Sequence, residues 1–411
     1  MSTHIRPIRG EELEAFVRVL EIAAGRQPST ATVPGRRTTY HPDRTLAAYD
    51  SDRMVGGTAS EPIELTLPGG ATATAAKVTL TGLLPGFRRR GIASAFMQRQ
   101  LRDLRDWGEP FAALTTTQSG VPGRHGFSPA TQALALVATP SRRERTTIEI
   151  GGVETRLVDR HEAEPVLPGV YDRHRRQQAG QVSRSIGFWQ EWFLDHELVR
   201  MTPAERFFVI ASSGDNLEDR CDGYLTYRLV YGPLREQPVS ELVIEDLVAV
   251  TDSARRALWQ FCLEFDQAPH LSAWNLPADE PLPWAAEAAG VRVTALRPFL
   301  RLRIIDVPWA LAARRYGVTD QLVIEVVDPV LPANGGCFRL DGGPHGAACA
   351  RTTRPPDLRM SVAELAAVYL GGFELTTLAR AGRVTEHRAG SLRRADAMFA
   401  WWPRPWTITD W

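Results

Sequence analysis

One stretch constrains this chain more than any other: Val78 to Ala95, VTLTGLLPGFRRRGIASA. Val78, Leu80 and Leu83 with interleaved threonines suit a pleated strand. Pro85 and Gly86 break it. Arg88, Arg89 and Arg90 lead into Gly91, and Ile92 to Leu104 reads as an amphipathic helix with Ile92, Phe96 and Leu101 among its apolar positions. Such a turn is an anion site. The first N–H groups of a helix have no partner inside it, its dipole favours negative charge there, and Gly91 has no side chain to hold a phosphate away. From the residues alone, the competing reading is a solvated arginine cluster.

The chain has 411 residues, room for two to three domains of about 150 residues each. Apolar residues make up 44% and charged residues 23%, which fits a globular protein with sizeable cores. The net charge of zero argues against a general nucleic-acid binder. No apolar run reads as a membrane span, and no N-terminal signal segment is expected. Cys221, Cys262, Cys337 and Cys349 are scattered, with neither a CxxC pair nor a disulfide framework, so a cytoplasmic location is expected. The histidines lack metal-ligand spacing, and no GxGxxG lies between a strand and a helix; neither a metal nor a dinucleotide is expected.

Residues 1–147 read as one α/β unit. Ile5–Pro7 is a strand and Gly10–Ala24 a helix, with Glu11, Glu12 and Glu14 early in it. Gln27–Asp43 reads as a loop over a substrate cleft. Thr45–Tyr49, Met54–Leu65 and Ala71–Leu83 read as antiparallel strands, with a hairpin turn at Gly69-Gly70. After the arginine turn and helix come a strand, Phe111–Thr116, and a glycine-rich loop, Thr117–Thr131. Residues 148–298 read as a second α/β unit whose strands are followed by no basic glycine turn. It includes an aromatic helix, Ser183–Val199, and a helix, Ser253–Phe265. Residues 299–411 read as a third unit, with a helix over Ser361–Leu370 whose Ser361 and Glu364 form a capping box.

Arg88-x-x-Gly91-x-Ala93 resembles the pyrophosphate loop of the GCN5-related N-acetyltransferases (GNAT superfamily). With SGVPGRHGFSPAT, SRSIGFW, EDLVAVTDSARRALWQFCLEFD, DVPWALAARRY, VAELAAVYLGGFE and LRRADAMFAWWPRPW, the whole chain resembles the Eis family of bacterial N-acetyltransferases. That resemblance implies an N-terminal GNAT domain, a central degenerate GNAT-like domain and a C-terminal domain like sterol carrier proteins. It implies acetyl-coenzyme A as cosubstrate, a small amine as acceptor (an aminoglycoside, lysine or a secondary-metabolite amine) and a homohexamer built as a trimer of dimers. Carried over residue by residue, it places Thr81, Gly82 and Leu83 along the pantetheine arm. Arg88, Arg89, Arg90, Gly91, Ile92, Ala93 and Ser94 fall around the pyrophosphate, and Thr117 and Gln118 on the far side of the cleft.

The resemblance also makes the carboxylate of Trp411 the base. From the residues alone, the tail (Trp401, Trp402, Trp406 and Trp411, with Pro403 and Pro405) is an aromatic anchor. The family's acid is a tyrosine, and Pro122 occupies its place, with neither a protic side chain nor a backbone N–H. His125, Ser119 or a water is then the substitute acid. The alternative is a repurposed scaffold that has lost acetyl transfer and binds a ligand or catalyses another biosynthetic step. Weaker site candidates are Tyr40, His41 and Asp43 in the cleft loop and Trp189 and Trp192 on the aromatic helix. Glu61, Asp43, Asp195 and Glu280 are candidate carboxylates for a cationic acceptor.

Overall fold

The computed structural model describes residues 3–27, 40–79, 82–115, 120–140, 148–195, 204–214, 221–234, 237–286 and 289–411. The chain forms two compact units. The first holds Met1–Thr131, Phe299–Pro405 and Asp410–Trp411; the second holds Gln132–Pro298 and Trp406–Thr409.

The main sheet of the first unit uses β1 (Thr3–Arg6), β2 (Thr45–Asp50), β3 (Arg53–Thr66), β4 (Thr72–Val78), β5 (Gly82–Leu83), β6 (Phe111–Thr115), β7 (Ser128–Pro129) and β15 (Leu300–Ile304). The order is β1-β2-β3-β4-β6-β15-β7, with β5 paired to β3. The turn between β3 and β4 falls at Gly69-Gly70, as the sequence predicts. Helix α1 (Leu13–Ala23) presents Leu13, Phe16 and Val17 to Tyr40, Tyr49, Met54 and Ala59. Helix α2 (Ile92–Asp106) buries Ile92, Phe96, Met97, Leu101 and Leu104, the face its periodicity predicts. Each large apolar side chain buried this way contributes roughly 1.5–3 kcal/mol. A second sheet in this unit is built from residues 320–386, and next to it lies helix Val362–Tyr369. Its capping box is formed: Ser361 Oγ accepts from the backbone and Glu364 accepts from the Ser361 N–H at 3.1 Å.

The second unit carries one sheet, β14-β8-β13-β12-β11-β10-β9. Its strands are β8 (Gln132–Ala138), β9 (Glu154–Val158), β10 (Arg206–Ser212), β11 (Cys221–Leu234), β12 (Gln237–Ala249), β13 (His270–Leu276) and β14 (Arg292–Pro298). Helix Asp252–Leu263 connects β12 to its parallel neighbour β13 and buries Leu258, Trp259 and Cys262.

Several elements differ from the sequence reading. β8 lies in the second unit's sheet rather than with the residues before it, and β15 inserts into the first unit's main sheet beside β6. The predicted long strand Ala71–Leu83 is two strands, β4 and β5, that pair with different stretches of β3. Within the predicted loop Thr117–Thr131, Gly120–Arg124 is a short helix, α3. Proline is tolerated there because the first turn of a helix has no N–H bond to lose. An 18-residue helix, Arg160–Gln177, stands where no element was predicted; Pro165 and Pro168 lie inside it.

Candidate active site

The site is a fork in the first unit's main sheet. β4 runs parallel to β6 through the pairs Ala75–Phe111, Ala76–Ala112 and Lys77–Ala113. Beyond them the chain stays with β3 instead. The Thr79 N–H donates to the Ala59 carbonyl at 2.9 Å, and Thr79 Oγ1 accepts from the Ala59 N–H at 3.0 Å, so the pairing with β3 continues through Thr79. β5 then pairs with β3 through Gly56–Leu83 and Gly57–Gly82. Gly56 on β3 permits this, and its neighbour Gly57 admits α1. A Cβ at Gly56 would lie 2.4 Å from Leu83 Cδ2, and one at Gly57 would lie 2.3 Å from Phe16 Cε2. Sequence reasoning missed both.

Past β5 the chain reaches the arginine turn. Arg89 has φ +63° and Gly91 has φ +81°. Turns with left-handed residues are where successive N–H groups form an anion-binding concavity. Gly91 is the N-cap of α2, and no side chain bonds to that helix end, so the first-turn N–H groups of Ile92, Ala93 and Ser94 have no capping side chain. Arg88, Arg89, Arg90 and Gly91 are exposed. Their guanidinium groups differ in use. Arg88 donates to the Leu83 carbonyl at 3.3 Å and the Ala23 carbonyl at 2.9 Å, tying β5 to the end of α1. Arg90 lies 5.0 Å over the Phe87 ring. The concavity, the uncapped helix end and the arginines fit a diphosphate. Thr81, Thr117 and Gln118 lie outside the described residues; Gly82 and Leu83 form β5.

Trp411 sits where the arms part. Its N–H reaches Thr115 Oγ1 at 3.3 Å, and that hydroxyl donates to the main-chain oxygen of Trp411 at 3.0 Å. The indole N–H donates to the Val78 carbonyl on the other arm at 3.3 Å. Thr115 is a site residue that the sequence did not single out.

Pro122 is half-buried in α3, and its carbonyl accepts from the N–H of His125 at 2.9 Å and of Phe127 at 3.2 Å. His125 is buried, with Nδ1 2.8 Å from the Val121 carbonyl. A carbonyl only accepts, so Nδ1 carries a hydrogen toward Val121, and Nε2 is the ring nitrogen left to exchange a proton. Ser119 lies outside the described residues.

Of the weaker candidates, only Glu61 stands beside the fork, opposite Lys77 of the last β4–β6 pair. Tyr40 packs edge-on against Phe16 in the core, while His41 and Asp43 are exposed. Glu61 pairs across the strands with Lys77, the chain's single lysine. In the second unit, Trp189 is core against Tyr171 and Phe193, and Arg206 stacks 4.1 Å over Trp192. Asp195 is bonded to Arg228 at 2.6 Å. Glu280 is buried against Arg255 and the Trp259 indole N–H, and that burial raises its pKa. Among the described residues, no three His, Cys, Asp or Glu side chains are arranged to hold a metal, and no helix is long and apolar enough to cross a membrane.

Comparison with known proteins agrees with this geometry. Acetyltransferase (GNAT) domain models match residues 4–130 and 180–304, and a sterol carrier protein domain model matches 307–408. An uncharacterized N-acetyltransferase of Streptomyces avermitilis is 34% identical over 99% of both chains. The N-acetyltransferase Eis of Mycobacterium tuberculosis is 32% identical over 91% of this chain and 90% of that one. The crystal structure of Eis1 from Mycobacterium abscessus covers both chains fully, with a TM-score of 0.84 and 30% identity.

Proposed function

This chain belongs to the Eis family of N-acetyltransferases, and we propose that it moves an acetyl group from acetyl-coenzyme A to a small amine at the fork of β4 and β6. The observation that carries this reading is the uncapped N-terminus of α2 with its left-handed Arg89 and Gly91 beside a parted pair of strands. The N–H groups of Ile92, Ala93 and Ser94 hold the pyrophosphate, with Arg89 and Arg90 supplying countercharge. β5 offers backbone partners to the pantetheine arm, and the family resemblance adds Thr81, Thr117 and Gln118 to the coenzyme contacts. Acetyl-coenzyme A supplies a thioester whose sulfur is a fair leaving group, a thiol of pKa ~8.5.

The carboxylate of Trp411 is the base. It takes a proton from the attacking amine while the carbon–nitrogen bond forms and the carbon–sulfur bond breaks. A free α-carboxylate has a pKa of ~3.3–3.7, so its usefulness as a base depends on being held against the amine in a cleft that excludes water. Pro122 offers the thiolate no proton, so it takes one from water, from Ser119 or from the Nε2 side of His125. Acceptors are aminoglycosides, lysine side chains or secondary-metabolite amines, and the working form is the family's hexamer in the cytoplasm. Sedimentation showing only monomer at working concentration would remove the hexamer.

Extending the chain by one glycine moves the carboxylate away from Thr115. The expected result is at least a 100-fold loss of amine-dependent thiol release with acetyl-coenzyme A binding retained; full activity would remove Trp411 from the chemistry. The rival reading, a scaffold that has lost acetyl transfer, draws on Pro122. Pro122→Tyr tests it: a large gain in transfer shows a working site that lacks its acid, and no transfer by either protein favours the rival.

A further inference from the structure

We propose that Thr115 is a positioning residue: its hydroxyl grips both main-chain ends of Trp411 and fixes the terminal carboxylate at the fork. The inference rests on the reading of Trp411 as base.

A chain end is ordinarily free to rotate, so a base placed there needs restraint before it is worth anything as a reacting group. Thr115 supplies that restraint with one atom. Its Oγ1 accepts from the Trp411 N–H and donates to the Trp411 oxygen, using a lone pair and the hydroxyl proton together. Thr115 is itself fixed. It is buried, it ends β6, and it is in register with Leu300 on β15. Branching at Cβ narrows its χ1 choices, so the direction of the hydroxyl is set by the strand. The indole N–H on Val78 supplies a third contact, on the other arm. Asp410 also accepts from the Trp411 N–H, at 2.9 Å, but cannot donate to the carboxylate. Of the groups bonded to Trp411, the Thr115 hydroxyl is therefore the one that stabilises the charged end directly.

The test uses the full chain labelled with carboxyl-¹³C tryptophan, as wild type, Thr115→Val and Thr115→Ser. On the reading of Trp411 as base, it alone among the 11 tryptophans carries a free carboxylate, and its line is separate from the others. The line is expected at a displaced shift in wild type and Thr115→Ser, and at the free-peptide shift in Thr115→Val. In assays with acetyl-coenzyme A and kanamycin or a lysine amide as the probe amine, Thr115→Val is expected to lower kcat about tenfold, the loss of one hydrogen bond to a charged group. The KM for acetyl-coenzyme A stays within twofold, and Thr115→Ser recovers kcat to within about threefold. A ¹³C line unmoved by Thr115→Val overturns the grip. A displaced line with unchanged kcat overturns the positioning role. The glycine extension keeps the two readings apart: if it leaves transfer intact, the base reading fails, whereas the ¹³C line still reports on Thr115.

Discussion

The chain contains the same strand–turn–helix–strand arrangement twice, and the two copies are finished differently. In the first unit, β4, α2 and β6 make a parallel crossover whose strands part after Lys77–Ala113. In the second, β12, helix Asp252–Leu263 and β13 make another, whose parallel pairing ends at Ile244–Ala273. The turn of the first is exposed, left-handed and uncapped. The second is capped: Thr251 accepts from the Ala254 N–H at 3.2 Å, and no arginine turn precedes it. The second fork is also filled from within its own unit by Trp406–Thr409. Asn275 on β13 donates to the carbonyls of Thr407 and Ile408, both at 3.1 Å, and accepts from the Trp406 indole N–H at 2.9 Å. Trp406 and Ile408 pack in one cluster with Val248 of β12. The two crossovers thus share a frame and differ at the helix end: one is left uncapped, and the other is closed by a threonine cap and a peptide segment.

The most severe way to break this contrast is Gly91→Val. A β-branched residue at φ +81° is strained whatever the space around it. It is expected to weaken acetyl-coenzyme A binding by at least about 100-fold, read by calorimetry, whereas Thr251→Val changes it less than twofold. Asn275→Leu attacks the filled fork. It strands two buried carbonyls and an indole N–H, and denaturant unfolding should show a loss of about 2–4 kcal/mol, with acetyl-coenzyme A affinity unchanged. His174, also in the second unit, is held by burial at a pKa of about 4, with Nδ1 on the Ala249 carbonyl. The unfolded chain binds its proton near pH 6.5, so between that pH and about 4 the unfolded state carries more protons. Stability present above pH 6.5 is then lost as pH falls. Thermal unfolding across that window should show the fall, and His174→Gln should flatten it. Thr251→Ala is the mildest change, costing about 1 kcal/mol of stability through the lost cap.

The open crossover was legible in the sequence because its turn is built from unusual residues. Three arginines and a glycine before a helix read as a solvated cluster or an anion site, and the matching stretches elsewhere in the chain favoured the second. The capped copy was legible only as a lack of that signature. What closes the site was not legible. Thr115 is an ordinary strand threonine until Trp411, 296 positions later, lies against it. Gly56 and Gly57 matter only through the close approach of Leu83 and Phe16. Helix Arg160–Gln177 was hidden by Pro165 and Pro168, and β14 by its exposure, which leaves no alternation to read. In α3, the glycines and proline of Gly120–Arg124 pointed to a loop, but five residues beginning at a glycine accommodate proline in the first turn.

The central claim is that one crossover of the two binds the coenzyme. Calorimetric titration of the full chain with acetyl-coenzyme A tests it most directly. The account predicts one site per chain, lost in Gly91→Val. Two sites per chain, or a single site that survives Gly91→Val, would contradict it.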